Sequence, residues 1–302
     1  MFNLLHELFF DYTLRNIALG SALLGILSGV LGCFAILRKQ GLLGDTLSHA
    51  ALPGVCLAYL LTGSKVPLVL LIGAGFTGWL GTLLILYIVR ETRISEDSAL
   101  GIVLSTFFSV GIVLLTFILR RTDANQAGLD KYLFGQAATL VADHVMTMMI
   151  LGGIALVIVA LLYKEFKVLT FDADFAASLG FNTHFLSILL TSLVVIAVVI
   201  GLQTVGVVLM ASMLIGPATA ARQWTNRLGR MILLAALFGA LSGVSGALIS
   251  MSQAHLPTGP MIILSLTAFV LFSLCCAPAR GLMWDWIREY RQRGTLIEPP
   301  RL

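Results

Sequence analysis

Charge is what this sequence has least of. Only 11% of its 302 residues are Asp, Glu, Lys or Arg, against about a quarter in a typical soluble domain. With 58% hydrophobic residues and a mean hydropathy of +0.98, a water-soluble globular fold is excluded. The same shortage of polarity excludes bulk disorder. Cysteine is scarce too. Cys33, Cys56, Cys275 and Cys276 all lie in apolar stretches, with no CxxC spacing and no histidine at ligand distance. They read as buried small hydrophobes rather than a disulfide or soft-metal site. There is no Gly-Lys pair, hence no GxxxxGK[ST] loop to cradle a phosphate, and no HExxH helix of a zinc protease. Residues 1–16 place Glu7 and Asp11 ahead of the first basic residue, Arg15, so they do not read as a cleavable signal. What remains is a polytopic membrane protein. Its pI near 9.0 and net charge of +4 then mark loops on one side of a bilayer, not a nucleic-acid partner.

The apolar runs set the number of crossings. About 20 helical residues span about 30 Å of hydrocarbon. Residues 17–37, 46–64, 66–89, 98–119 and 145–163 contain no Asp, Glu, Lys or Arg, and each fits one helix. Residues 185–221 form an uncharged run too long for one crossing and short for two. Residues 231–279 are interrupted at 255–260 by HLPTGP, whose two prolines and glycine predict a loop between two helices. If 185–221 crosses twice, turning near residues 201–206, there are nine spans. One side then holds fourteen basic residues: Arg38, Lys39, Arg90, Arg93, Lys164, Lys167, Arg222, Arg227, Arg230, Arg280, Arg288, Arg291, Arg293 and Arg301. The other holds five, Arg15, Lys65, Arg120, Arg121 and Lys131. A single crossing moves Arg222, Arg227 and Arg230 and evens the split, so the positive-inside rule selects nine spans, with eight as the alternative. The expected fold is an all-α polytopic membrane protein, N-terminus outside and C-terminus cytoplasmic. Residues 1–280 form the membrane domain, with a cytoplasmic segment at about 164–184. Residues 281–302 form a basic tail whose Trp284, Trp286 and Tyr290, interleaved with arginines, suit a helix lying on the lipid of the inner leaflet.

Fourteen of the fifteen acidic residues fall in loops or tails, where solvated charge accounts for them; Asp45 sits at the mouth of a helix. His49 is four residues on, so the two side chains share one helical face a turn apart. A carboxylate and an imidazole in that register can hold a first-row divalent cation. The ordinary alternative is a helix N-cap and a histidine bonded to a carbonyl. An intramembrane ionisable pair weighs toward function. Pro53-Gly54 and Gly216-Pro217 mark helix breaks of the kind that line substrate paths. Met210 and Met213 precede the second break at i, i+3, either as soft metal contacts or, more simply, as packing. Ser245, in the run from Gly243 to Gly246, invites comparison with a rhomboid-type nucleophile and His255 as its base. The two lie in a span and its adjoining turn, which makes direct contact hard to build. A small-residue packing face explains Gly239, Ser242, Gly243 and Gly246 more simply.

The run from Gly44 to Gly54 (GDTLSHAALPG), that from Gln203 to Ala221 (QTVGVVLMASMLIGPATAA) and LPTGP at 256–260 resemble the permeases of ATP-binding-cassette importers for zinc, manganese and iron. The resemblance covers roughly residues 17–277. A more distant likeness is to cobalamin and siderophore importer permeases, whose cytoplasmic coupling segment DADFAASLG at 172–180 resembles. The resemblance implies a dimer of permease subunits, homodimeric or with a paralogue. It also implies two ATP-binding-cassette ATPase subunits and an extracytoplasmic metal-binding protein that delivers the ion in a bacterial inner membrane. It gives Asp45 and His49 as contacts for transported Mn2+, Zn2+ or Fe2+, with no cofactor held permanently. Asp172, Phe175, Ala176, Leu179 and Gly180 become the ATPase-coupling residues, on a short helix whose Ala173, Ala176 and Ala177 sit closely against a groove. One subunit offers two ligands where zinc takes four and manganese about six, so two copies on a shared axis complete the set. The chain is then a transport subunit and not itself an enzyme. A proton- or sodium-driven secondary metal transporter is the alternative.

Overall fold

The computed structural model describes residues 12–64, 66–120, 142–252, 256–278, 281 and 283–284. Among the described residues all regular structure is helical. The helices are α1 (Tyr12–Leu37), α2 (Leu43–Thr62), α3 (Pro67–Glu91), α4 (Glu96–Leu119), α5 (Ala142–Leu161), α6 (Tyr163–Phe171), α7 (Ala173–Ser178), α8 (Thr183–Thr204), α9 (Val207–Trp224), α10 (Leu228–Ser252) and α11 (Thr258–Cys276). In lipid every backbone amide needs a partner within the chain, which forces long apolar runs into helices. Their ends follow local chemistry. Ser95 and Asn182 cap α4 and α8 by accepting from the amides of Ser98 and Phe185. Pro67 opens α3 at its first turn, and left-handed Gly63 closes α2.

Seven of these helices are long and apolar enough to cross a membrane: α1, α3, α4, α5, α8, α10 and α11. The expected count of nine thus becomes seven candidate spans plus two long helices of lower hydropathy, α2 and α9. Asp45, Thr46, Ser48 and His49 lower the first; Ser212, Arg222 and Gln223 lower the second. The 185–221 run divides at the expected place, between Thr204 and Val207, where Gly206 has φ 89°, ψ 169°. That backbone region belongs to glycine. At the second expected break the structure differs: α11 starts at Thr258, so Gly259 and Pro260 lie inside its first turn. First-turn amides lack intrahelical partners, and a proline there forfeits no bond.

Helix α1 runs through the interior and packs most extensively along α10. A Cβ on Gly25 would stand 2.1 Å from the carbonyl oxygen of Gly239, and one on Gly239 would stand 2.1 Å from that of Gly25. Gly243 meets the Ser21 backbone in the same way, and Gly246 packs on Ile262 of α11. The expected small-residue face is therefore a helix seam. The Ser245 hydroxyl donates to Ser242 O of its own helix, 3.3 Å away; His255 lies outside the described residues, as do Lys65, Arg121, Lys131, Arg280 and the tail beyond Trp284. Helix α2 is enclosed by α3, α4 and α9. Cys33 and Cys56 are buried as expected, whereas Cys275 is exposed and Cys276 half-buried, because the last turn of α11 reaches the periphery.

Candidate metal pair and coupling segment

The first turns of α2 carry the polar pair, and neighbouring hydroxyls pin them. Thr46 Oγ1 donates to Leu42 O at 2.9 Å and lies 3.3 Å from Leu100 O of α4. Ser48 Oγ donates to Gly44 O at 2.6 Å. Gly44 lets α9 approach: a Cβ there would stand 2.9 Å from Leu214 Cδ2. Asp45 lies in the first turn, where the helix dipole favours a carboxylate.

His49 Nε2 and Asp45 Oδ1 are 3.2 Å apart, with side chains 15% and 35% exposed. Two ligands on one tetrahedral ion with bonds of about 2.0–2.1 Å stand about 3.3 Å apart. The observed 3.2 Å separation therefore suits two ligands of one ion with little movement of either side chain. The other ring nitrogen, Nδ1, is buried without a hydrogen-bond partner. Phe108 of α4 holds the imidazole edge-on, ring centroids 4.5 Å apart at 70°. Nothing in the sequence singles out Phe108 among the aromatics of its apolar run. Among the described residues no group of three or more His, Cys, Asp or Glu gathers; what they bring together here is the pair.

The two expected helix breaks are absent. Pro53 and Gly54 lie inside α2, and Gly216 and Pro217 inside α9. Tertiary packing holds both helices through the lost hydrogen bond: a Cβ on Gly54 would stand 2.1 Å from Gly73 O of α3, and one on Gly216 2.7 Å from Leu266 Cδ2 of α11. What the prolines change is local. Lacking an N–H, Pro53 offers no amide to the carbonyl of His49, and Pro217 none to that of Met213. Met210 and Met213 are fully buried. A Cβ on Gly201 of α8 would stand 2.2 Å from Met210 Sδ, so that sulfur packs between helices. On the other face of α9, Ala211, Ser212, Ile215 and Gly216 line a cleft of about 330 Å³ shared with Leu266, Thr267 and Val270.

The segment between α5 and α8 has sharply defined ends. Asp172 Oδ1 accepts from Phe175 N at 2.8 Å and caps α7. At the other end Gly180 adopts φ 87°, with Gly180 N bonded to Ala177 O at 3.0 Å and Phe181 N to Ala176 O at 3.2 Å. That is a Schellman stop. Ala176 is fully buried, while Phe175 and Leu179 are 53% and 54% exposed, and Phe171 and Phe185 on the flanking helices are exposed as well. Of the three alanines expected on the outer surface, Ala173 and Ala177 are exposed and Ala176 turns inward, so Phe175 and Leu179 share that surface with them.

The sequence pattern of the ABC 3 transport family matches residues 10–277. The chain belongs to that family. Within the ABC 3 transport family, the zinc transport system membrane protein TroC of Treponema pallidum (strain Nichols) is 46% identical over 294 residues, 97% of this chain and 98% of TroC. The manganese transport system membrane protein MntC of Bacillus subtilis (strain 168) is 52% identical over 274 residues, 91% of this chain and 63% of that longer protein. The solved structure of PsaBC from Streptococcus pneumoniae in complex with Fab aligns at TM-score 0.81 and 31% identity, over 95% of this chain and 99% of that one. An inward-facing transporter described as of the metal-chelate type aligns at TM-score 0.67 and 17% identity, over 89% of this chain and 87% of that one, a likeness of fold alone.

Proposed function

We propose that this chain is the membrane permease subunit of an ATP-driven importer of manganese or zinc ions. The observation that carries the reading is the Asp45–His49 pair, 3.2 Å apart on the first turns of an enclosed helix. Ligand chemistry alone would take ferrous iron equally; the names of the relatives narrow the cargo to manganese and zinc. All nine long helices cross the bilayer, α2 and α9 as enclosed crossings. The N-terminus is outside and the C-terminus cytoplasmic, with residues 1–280 as the permease domain and 281–302 as a basic tail on the inner leaflet of a bacterial cell membrane.

Transport then follows from the geometry. An extracytoplasmic metal-binding protein releases the ion to the permease pair. Asp45 and His49 of this chain, with the same residues of a second copy, give two carboxylates and two imidazoles around it. Incomplete protein ligation leaves positions for water and keeps the site weak enough to release its ion. The chain has no phosphate-cradling loop, so energy comes from two ATPase subunits, which dock on Phe175 and Leu179, with Asp172 and Gly180 fixing the ends of that segment and Ala176 anchoring it. The Met213 and His49 carbonyls, freed by Pro217 and Pro53, present oxygen along the path.

Reconstituting the permease with its ATPase in vesicles tests this. Wild type accumulates manganese or zinc only with internal ATP, and Asp45→Ala or His49→Ala abolishes uptake while the ATPase still co-purifies. Normal uptake by both variants sinks the site. Uptake by the permease alone down a proton gradient sinks the ATP-driven reading.

A further inference from the structure

The turn between α1 and α2 carries a second polar cluster that the metal pair does not use. It is rigid: Arg38 N bonds Phe34 O at 3.0 Å, Gln40 N bonds Ala35 O at 2.9 Å, and Lys39 sits at φ 61°. Gln40 is buried, and its Nε2 donates to Glu96 Oε1 in the first turn of α4. Arg38 reaches the other way. Its Nη2 donates to Ser187 Oγ at 2.9 Å, near the start of α8 and just beyond the coupling helix. Burial lowers the pKa of this guanidinium, and the nearby Glu96 carboxylate opposes that shift.

Two atoms are left over. Arg38 Nη1 is buried with no hydrogen-bond partner, and so is Glu165 Oε2 on α6, at the upstream end of the coupling segment. They flank one contact: Phe34, a turn before Arg38, packs edge-on against Phe166, next to Glu165, with ring centroids 6.0 Å apart. A guanidinium nitrogen and a carboxylate oxygen, each out of solvent without a partner, are costly in a single static state. A guanidinium has donors enough to exchange one partner for another without leaving its place.

We propose that Arg38 is a positioning residue with two seats, Ser187 as seen here and Glu165 in the alternate state of the transport cycle. The coupling segment, bracketed by Glu165 and Ser187, thereby passes its displacement through the fixed α1–α2 turn to Asp45, seven residues further on. Arg38 touches no ion; it acts through the first turn of α2. The proposal rests on the transport reading above.

The test measures manganese uptake per ATP hydrolysed in vesicles holding the permease and its ATPase, for Arg38→Gln, Glu165→Gln and the double variant. Each single variant lowers the ratio about tenfold, the size of an ordinary coupling between sites, and the double variant is no worse than either. Manganese binding to the purified permease stays within about twofold of wild type, a readout that general damage to the fold would move. Should Arg38→Gln fail to fold, Arg38→Lys keeps the charge without the fork and gives an intermediate ratio. A wild-type ratio in Glu165→Gln, or losses that multiply in the double variant, overturns the two-seat arm. Wild-type vesicles that take up no metal overturn the transport reading instead.

Discussion

The seam between α1 and α10 makes a sharp demand on one residue. In Gly25→Ala the new methyl would stand 2.1 Å from Gly239 O and 2.9 Å from Ala240 N. Against an ordinary carbon–oxygen contact of about 3.3 Å, the shortfall is about 1.2 Å. Both obstructing atoms are backbone, so no side chain can rotate away and the helices must part. Overpacking of this kind costs about 1–3 kcal/mol. Gly29, one turn along, faces Ala235 O at 2.5 Å in the same construction, so parting the helices at Gly25 loosens its neighbour as well. Gly153 is the control: a Cβ there meets nothing within 4 Å, and alanine is favoured over glycine in a helix by about 1 kcal/mol. The assay is thermal unfolding of the detergent-purified permease, followed by tryptophan fluorescence. Gly25→Ala and Gly239→Ala each lower the midpoint by several degrees, and Gly153→Ala does not. The double variant falls short of the sum, because helices already parted by one methyl have room for the other. A wild-type midpoint for Gly25→Ala, or fully additive losses, refutes the close backbone contact.

Three further outcomes concern the proposed transport parts. Leu179→Asp, on an exposed position of the coupling segment, leaves the unfolding midpoint unchanged and weakens co-purification of the ATPase; Gly180→Val, forced into φ 87°, lowers the midpoint by about 1–2 kcal/mol equivalent. Phe108→Ala removes the edge-on partner of His49; an aromatic pair is worth about 0.5–1.5 kcal/mol, so metal affinity falls about two- to tenfold in a titration of the purified permease.

The parts legible in the sequence were those set by one-dimensional patterns. Uncharged runs located the long helices, and the stretch from Gly201 to Gly206 located the turn between α8 and α9. The i, i+4 spacing of Asp45 and His49 put them side by side. What depends on neighbouring helices was not legible. Pro53 and Pro217 read as breaks because a proline costs a hydrogen bond; in the folded bundle, close packing at Gly54 and Gly216 carries the helix past it. Phe108 is one aromatic among several in its run, and only the packing of α2 against α4 brings it to His49. The helix at 173–178 has six residues, under two turns, too few for periodicity to fix its inward face, and of the three alanines expected outside only Ala176 turns in, leaving Phe175 and Leu179 exposed beside Ala173 and Ala177.

Two of the nine long helices, α2 and α9, are the least suited to lipid, and the reason is the same for both. Each carries polar side chains in its length, and each contains a proline that leaves the carbonyl four residues earlier without its amide. A bare carbonyl facing hydrocarbon costs several kcal/mol. Such helices persist only where protein or water surrounds them. The packing meets that need: Gly44 at the start of α2 admits Leu214 of α9, α2 lies among α3, α4 and α9, and α9 lies against α1, α10 and α11. On the proposed nine-span reading, the helices around them are what allows an aspartate, a histidine and the two carbonyls ahead of the prolines to stand within the bilayer. A polar substitution on the outer face of α3 or α4 and a polar residue on α2 are for that reason not equivalent. The first meets lipid and is penalised by it, whereas the second is held among α3, α4, α8 and α9.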